Sequence, residues 1–267
     1  MPPRKRAAVP AGLVAFASAL ADATGPILRK HFRAGGAVED KSDGSPVTQA
    51  DRAAERALRR RIRQAYPDHG IRGEEFGDER TDAEYLWVLD PIDGTRSFLS
   101  GKPVFTTLIG LLRRGEPVLG VIDQPVTRER WVGAAGKSTW NGRAAKVRPC
   151  KRMADAVHFT TGPEWYKGRD KAAYQRLTAA VRMTMYSTDA YAFGLLASGH
   201  TDLVVEAGLQ PHDFCALIPV VEGAGGIITD WHGGRPDPHK PCNIVAAGDA
   251  RVHREALTVL GAPPKRG

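Results

Sequence analysis

Glu74 stands sixteen positions before Asp90, and Asp93 follows three further on. The first lies in Gly73-Glu74-Glu75; the others belong to Asp90-Pro91-Ile92-Asp93-Gly94-Thr95. Carboxylates gathered around a turn punctuated by proline and glycine repel one another unless hard divalent cations lie among them. The chemistry this suggests is metal-assisted attack of water on a phosphate ester. Pro91 restrains the backbone, so the turn can aim Asp90 and Asp93 at one point. Gly94 lets the backbone approach a ligand closely. Thr95 is expected to cap the next helix, whose free N–H groups suit phosphate. An isolated Asp-x-x-Asp would read as an ordinary turn with a helix cap. Here the acids follow an apolar strand and a nearby Gly-Glu-Glu, which favours the metal reading. Glu75, Asp78, Glu79, Asp82 and Glu84 include solvated loop residues and are not assigned as ligands.

The elements that must hold these groups are legible from periodicity. Residues 10–33 read as a helix with a kink at Gly25-Pro26, ended by Gly35-Gly36. Residues 42–46 read as a loop. A second helix starts at Thr48 or Asp51, with Ala54, Leu58 and Ile62 on one face, and stops before Pro67. Ile71 begins a strand, and Tyr85 to Leu89 is a continuous apolar run ending at Asp90. Strands are expected over 104–112, 117–122, 129–133 and 138–143, with Asn141-Gly142 as a hairpin turn. Beyond residue 145 the pattern changes to strands at 157–160, 203–206, 227–230 and 243–247. Helices are expected over 170–181, 190–197, 214–224 and 253–260. This alternation implies layered α/β packing. Residues 1–145 read as an α+β part and 146–267 as an α/β part, with polar groups meeting in the cleft between them.

The 267 residues, 42% of them hydrophobic, suffice for one large domain or two ordinary ones. No unbroken apolar run of membrane-spanning length is evident. The basic start, Met1 to Arg6, resembles the head of a secretory leader. Leu13, Phe16, Ala17 and Leu20 with Asp22 read instead as an amphipathic helix. Three widely spaced cysteines, Cys150, Cys215 and Cys242, form no zinc motif or disulfide framework, which suits a reducing cytoplasm. The net charge of +8 draws anions, including phosphorylated metabolites and nucleic acid. No interleaving of aromatic and basic residues marks a nucleic-acid module. The runs Arg59-Arg60-Arg61, Arg113-Arg114 and 143–151 read as solvated faces.

Taken together, Pro46 to Asp51, Gly73-Glu74-Glu75, Trp87 to Thr95, and His212-Asp213 leading to Glu222 to Gly226 resemble the inositol monophosphatase family. These segments span nearly the whole chain. The resemblance implies the layered αβαβα sandwich of the inositol monophosphatase and fructose-1,6-bisphosphatase type. It implies that Glu74, Asp90, the Ile92 carbonyl, Asp93 and Asp213 ligate two or three Mg²⁺ ions. Hard oxygen ligands suit Mg²⁺, and the lack of a His/Cys cluster argues against zinc. Asp51 and Thr95 would orient or deprotonate the attacking water near Glu74, and the Gly94 and Thr95 amides would hold phosphate oxygens. Asp213 also reads as the N-cap of the helix it precedes. His212 stands where the family has an aromatic residue. The family commonly forms homodimers, so a dimer acting on a small phosphorylated metabolite is expected.

A finer resemblance lies in Arg96-Ser97-Phe98, Gly120 to Pro125, Thr127 to Trp131, Asp189-Ala190-Tyr191, Leu203 to Glu206 and Pro211 to Phe214. These segments are similar to the histidinol-phosphate phosphatase branch, which makes histidinol in histidine synthesis. Its substrate carries an ammonium and an imidazole, so Asp189 and Glu206 would be substrate contacts with charged partners. Asp189 reads equally as a cap for a helix at Ala190. Ser187-Thr188 departs from the glycine expected there. The competing expectations are an inositol-1-phosphate or broad sugar-phosphate phosphatase, and an RNA- or transcription-associated member of the family.

Overall fold

A computed structural model of the protein describes residues 9–35, 38–40 and 46–261. Gly36 and residues 42–45, expected as a helix stop and a loop, lie outside them. Helix α1 (Ala11–His31) runs through Pro26 without ending, and α2 (Gln49–Ala65) starts from the Thr48 cap. Between them β1 (Val38–Asp40) pairs with β2 (Pro46–Thr48). Next come β3 (Gly70–Gly73), β4 (Gly77–Glu79) and β5 (Tyr85–Asp93), then the one-turn helix α3 (Thr95–Leu99). Strands β6 (Thr106–Arg113), β7 (Glu116–Gln124), β8 (Glu129–Ala134), β9 (Lys137–Trp140) and β10 (Arg143–Ala144) follow. These strands form a sheet in the order β10-β9-β8-β7-β6-β5-β3-β4, antiparallel except where β3 meets β5. Asn141 and Gly142 both take positive φ, the two-residue turn read from the sequence.

The second half supplies β11 (Val157–Thr160), α4 (Gly168–Ala180), β12 (Met183–Tyr186), α5 (Tyr191–Ala197) and β13 (Leu203–Leu209). It closes with α6 (Pro211–Phe214), α7 (Leu217–Gly223), β14 (Ile227–Asp230), β15 (Cys242–Ala247) and α8 (Ala250–Gly261). Its sheet runs β12-β11-β13-β15-β14.

Strand periodicity sorts the side chains into layers. Trp87, Leu89, Ile109, Leu111, Leu119 and Val121 face Leu13, Leu20, Leu58 and Ile62 of α1 and α2. The alternate residues Leu86, Val88, Leu108 and Ile122 face Phe193, Leu196, Leu217 and Val221 of α5 and α7. The same helices cover Val204, Ile244 and Ala246 of the second sheet. Its other face, with Leu203, Val205 and Val245, packs on Leu177, Val252 and Leu260 of α4 and α8. The result is the αβαβα sandwich. By length and mean hydropathy (1.5 over its most apolar window), α1 alone among the described helices could cross a bilayer. Here Leu13, Ala17, Leu20 and Ala21 are spent on the sheet.

Three readings need correction. The helix expected over 214–224 is two, α6 and α7. Pro219, inside α7, has no N–H to bond the Cys215 carbonyl one turn back, so the hydrogen-bond ladder lapses at Cys215 and Ala216 although both keep helical dihedrals. Strand β12 was not read: it is the sheet edge, and Met183, Met185 and Tyr186 are all exposed, so no alternation marks it. Arg59 is no solvated residue but is 3% exposed, and Glu79 is half-buried against it. The three cysteines are free.

Candidate active site

Strands β3, β5, β6 and β7 are mostly buried, and β5 delivers Asp90 from that core at 2% exposure. The ladder with β6 is irregular between Asp90 and Asp93, which lets both acids turn to one side. The Ile92 N–H donates to Asp90 Oδ1 at 3.0 Å, and the Thr107 hydroxyl holds the Pro91 carbonyl at 2.8 Å. Gly94 takes φ +81°, and a Cβ there would lie 2.7 Å from Asp189 Oδ2. Only glycine meets both demands. Gly94, not Thr95, occupies the cap position of α3, and the helix receives no side-chain cap. The Thr95 hydroxyl instead donates to the Ile92 carbonyl at 3.1 Å. The expected Thr95 cap is thus replaced by a left-handed glycine.

Glu74 leaves the end of β3, its N–H donating to the Leu89 carbonyl at 3.2 Å. Its carboxylate lies beside that of Asp90 and helps to raise the Asp90 pKa. Asp213 is not an N-cap. Gln210 holds that position, and Asp213 Oδ2 accepts the Gln210 N–H at 2.7 Å from the third helical position. His212 Nε2 lies 3.3 Å from Asp213 Oδ1. One carboxylate oxygen each from Asp90, Asp93 and Asp213 lie within 4.8 Å of one another. Burial, then Glu74, Asp93 and Asp213, holds the Asp90 carboxyl well above its usual range. Burial, then Asp189 and Asp213, does the same for Asp93. Such crowding of acids is relieved by a hard cation.

Asp93 also ties the two sheets' helices to the site: its Oδ2 accepts the Ala190 N–H at 2.7 Å, at the start of α5. That is the cap read for Asp189. Asp189 itself, at φ +42°, accepts the Ser97 hydroxyl at 2.9 Å. Glu206, 3% exposed, sits on β13. Its Oε1 accepts the Thr161 N–H at 2.7 Å and the Thr161 hydroxyl at 3.0 Å; its Oε2 accepts the Thr160 hydroxyl at 3.3 Å. Burial pushes the Glu206 carboxyl up to about 8.

A cavity of about 230 Å³ brings together Glu74, Asp90, Ile92, Asp93, Gly94, Thr95, Asp189, Glu206 and Asp213. No histidine or cysteine is among its described lining residues. Asp51 does not line it. Asp51 is 1% exposed and completes the cap of α2, its Oδ2 accepting the Thr48 N–H at 2.8 Å and the Thr48 hydroxyl at 2.6 Å. It nevertheless lies close enough to Glu74 for that charge, after burial, to help raise its pKa. Sequence reading missed Ser97, Thr160 and Thr161 as supports of the acids. It also missed Trp165 at the cavity wall, 43% exposed with the Arg96 guanidinium 4.7 Å above its ring. A polar pair at the end of a buried strand was the available signal for the threonines. Larger cavities of about 640 and 890 Å³ lie elsewhere. Several of their charges are spent on the fold: Arg130 on Asp22 and Asp123, Arg176 on the Val259 and Leu260 carbonyls. Chemistry, not size, selects the acidic cavity.

The layered fold and its all-oxygen acidic cavity are those of a phosphatase class that works with metal ions. The sequence model of the inositol monophosphatase family matches residues 11–261, and the chain belongs to that family. The bifunctional phosphatase IMPL2, chloroplastic, of Arabidopsis thaliana is 48% identical over 256 residues, 92% of this chain and 74% of that one. A histidinol-phosphatase of Mycobacterium tuberculosis is 33% identical, over 92% of this chain and 97% of its own length. An inositol monophosphatase structure from Zymomonas mobilis superposes with a TM-score of 0.86 at 42% identity, covering 93% of this chain and 97% of that one.

Proposed function

We propose that the protein is a Mg²⁺-dependent phosphomonoesterase that hydrolyses L-histidinol phosphate to L-histidinol and phosphate, a step of histidine synthesis. The observation that carries this is the closeness of Asp189 to Gly94. An acid there meets a substrate group close to the phosphate. In histidinol phosphate the ammonium stands two carbons from the ester oxygen, and so is a group of that kind. Glu206, deeper in the same cavity, would face the imidazole end. The substrate's ammonium also offsets part of the negative charge of a cavity crowded with carboxylates. The likeness to a named histidinol-phosphatase supports the same reading.

The donor set fits Mg²⁺: the carboxylates of Glu74, Asp90, Asp93 and Asp213 and the Ile92 carbonyl are all hard oxygens. Two or three ions, when bound, supply the positive charge that acidifies water and neutralises the phosphate. Glu74 and the Thr95 hydroxyl hold the attacking water, and Glu74 takes its proton, with Asp51, buried behind it, acting on that step through its charge on Glu74. The Gly94 and Thr95 amides hold phosphate oxygens. Asp189 and Glu206 fix the leaving alcohol.

A second reading, hydrolysis of a polyol phosphate, draws on Glu206 itself. With its carboxyl pushed to about 8, it is largely uncharged at neutral pH and suits a hydroxyl partner. Complementation separates the readings. The chain should restore growth without histidine to a bacterial host lacking histidinol-phosphate phosphatase, and the Asp93→Asn variant should not. Failure of the expressed wild-type chain to restore growth would count against the histidinol reading.

A further inference from the structure

One buried charged pair plays no part in the chemistry above. Glu55 on α2 is fully buried, and Arg59, one turn later, is 3% exposed; Arg59 Nε meets Glu55 Oε1 at 2.7 Å. Both side chains reach out of the helix to the β3–β4 hairpin. Glu55 Oε2 accepts the Glu75 N–H at 2.7 Å, and Oε1 accepts the Phe76 N–H at 3.2 Å. Arg59 Nη1 meets Glu79 Oε1 at 2.7 Å, and Nη2 donates to the Gly77 carbonyl. Four points of the hairpin beyond Glu74, at Glu75, Phe76, Gly77 and Glu79, are therefore held from one turn of α2. The fit leaves no room at Gly73, where a Cβ would lie 2.1 Å from Glu55 Oε1 and 2.7 Å from Arg59 Nη2.

A buried ion pair is a poor device for stability alone, since desolvation consumes most of its attraction. It does fix geometry when both partners are hydrogen-bonded on several sides, and here Glu55 accepts three bonds and Arg59 donates from all three nitrogens. Geometry is what Glu74 needs. Its carboxylate is pressed against Asp90 in a cavity of like charge, while the tip of its hairpin is exposed at Phe76 and Gly77. Repulsion would swing an untethered hairpin outwards before a cation could bind.

We propose that Glu55, locked by Arg59, is a positioning residue that holds the 73–79 hairpin and so preorganises Glu74 for the cation. This rests on the reading that Glu74 belongs to the cation-binding set. In Glu55→Gln the amide group cannot accept both loop N–H bonds, so the brace loosens while size is kept. Mg²⁺ binding by titration calorimetry should weaken by about 10- to 100-fold, the usual cost of losing a group that orients a ligand. The Mg²⁺ concentration for half-maximal phosphate release should rise in step, with kcat recovering at high Mg²⁺ far more than affinity does. Glu74→Gln is measured beside it. If Glu74→Gln leaves Mg²⁺ affinity intact, the reading of Glu74 fails. If Glu74→Gln weakens binding but Glu55→Gln only lowers the melting temperature, the brace is overturned. Should Glu55→Gln not fold, Glu79→Gln loosens the Arg59 side of the brace: weaker Mg²⁺ binding in a folded protein supports the inference, and unchanged binding overturns it.

Discussion

Replacing Asp189 by asparagine removes one negative charge from the cavity and leaves its shape. The new side-chain oxygen still accepts the Ser97 hydroxyl, now 2.9 Å from the carboxylate. What is lost is a charge-assisted bond to the substrate ammonium. Hydrogen bonds to charged groups contribute about 1.5–3 kcal/mol, which is about 10- to 150-fold in kcat/KM at about 1.4 kcal/mol per tenfold. p-Nitrophenyl phosphate has no ammonium and should lose less than about threefold. The assay is phosphate release from both esters at saturating Mg²⁺, so that any change in cation affinity drops out. Equal losses on the two esters, or no loss on histidinol phosphate, would refute the pairing of Asp189 with an amine.

Other outcomes follow from the same geometry. Asp93→Asn keeps a partner for the Ala190 N–H but removes a cation-binding charge; with several kcal/mol at stake, phosphate release should fall by about 1,000-fold or more in a protein of unchanged circular dichroism. His158, buried on β11, has its pKa lowered to about 3 by burial. The unfolded chain takes up that proton below about 6.5 and the folded chain does not, so stability is full above pH 6.5 and is lost as pH falls towards 3. Urea unfolding between pH 6 and 5 should therefore show His158→Phe with a shallower slope than wild type, by about 1.4 kcal/mol per pH unit; equal slopes would contradict it. Gly120→Ala would set a Cβ 1.9 Å from the Ala216 carbonyl oxygen, between β7 and the α6–α7 joint. A loss of about 3 kcal/mol or more by urea denaturation is expected, and a neutral effect would contradict the packing of the middle layer.

Much of this arrangement was legible. The apolar run ending at Asp90 named β5, but an unbroken run carries no alternation, and only packing divides Leu86 and Val88 from Trp87 and Leu89. Asn141-Gly142 fixed a hairpin because few other pairs tolerate two positive φ values. What failed depended on distant partners. The edge strand β12 carries no buried face to set a period, and Asp213 and Thr95 were read as caps although Gln210 and Gly94 take those positions. That Asp93, 97 positions away, holds the start of α5 is a fact of tertiary packing with no local signature. The brace was half legible: Asp51, Glu55 and Arg59 recur every fourth residue on one face of α2, yet a run of arginines beside them reads as solvated.

The roles of Asp189 and Glu206 depend on the identity of the leaving group. Initial rates of phosphate release from L-histidinol phosphate and from myo-inositol 1-phosphate, measured side by side with and without Mg²⁺, test it most directly. The expected result is a Mg²⁺-dependent kcat/KM clearly higher for histidinol phosphate. An equal or higher value for the inositol ester would contradict the roles given to Asp189 and Glu206.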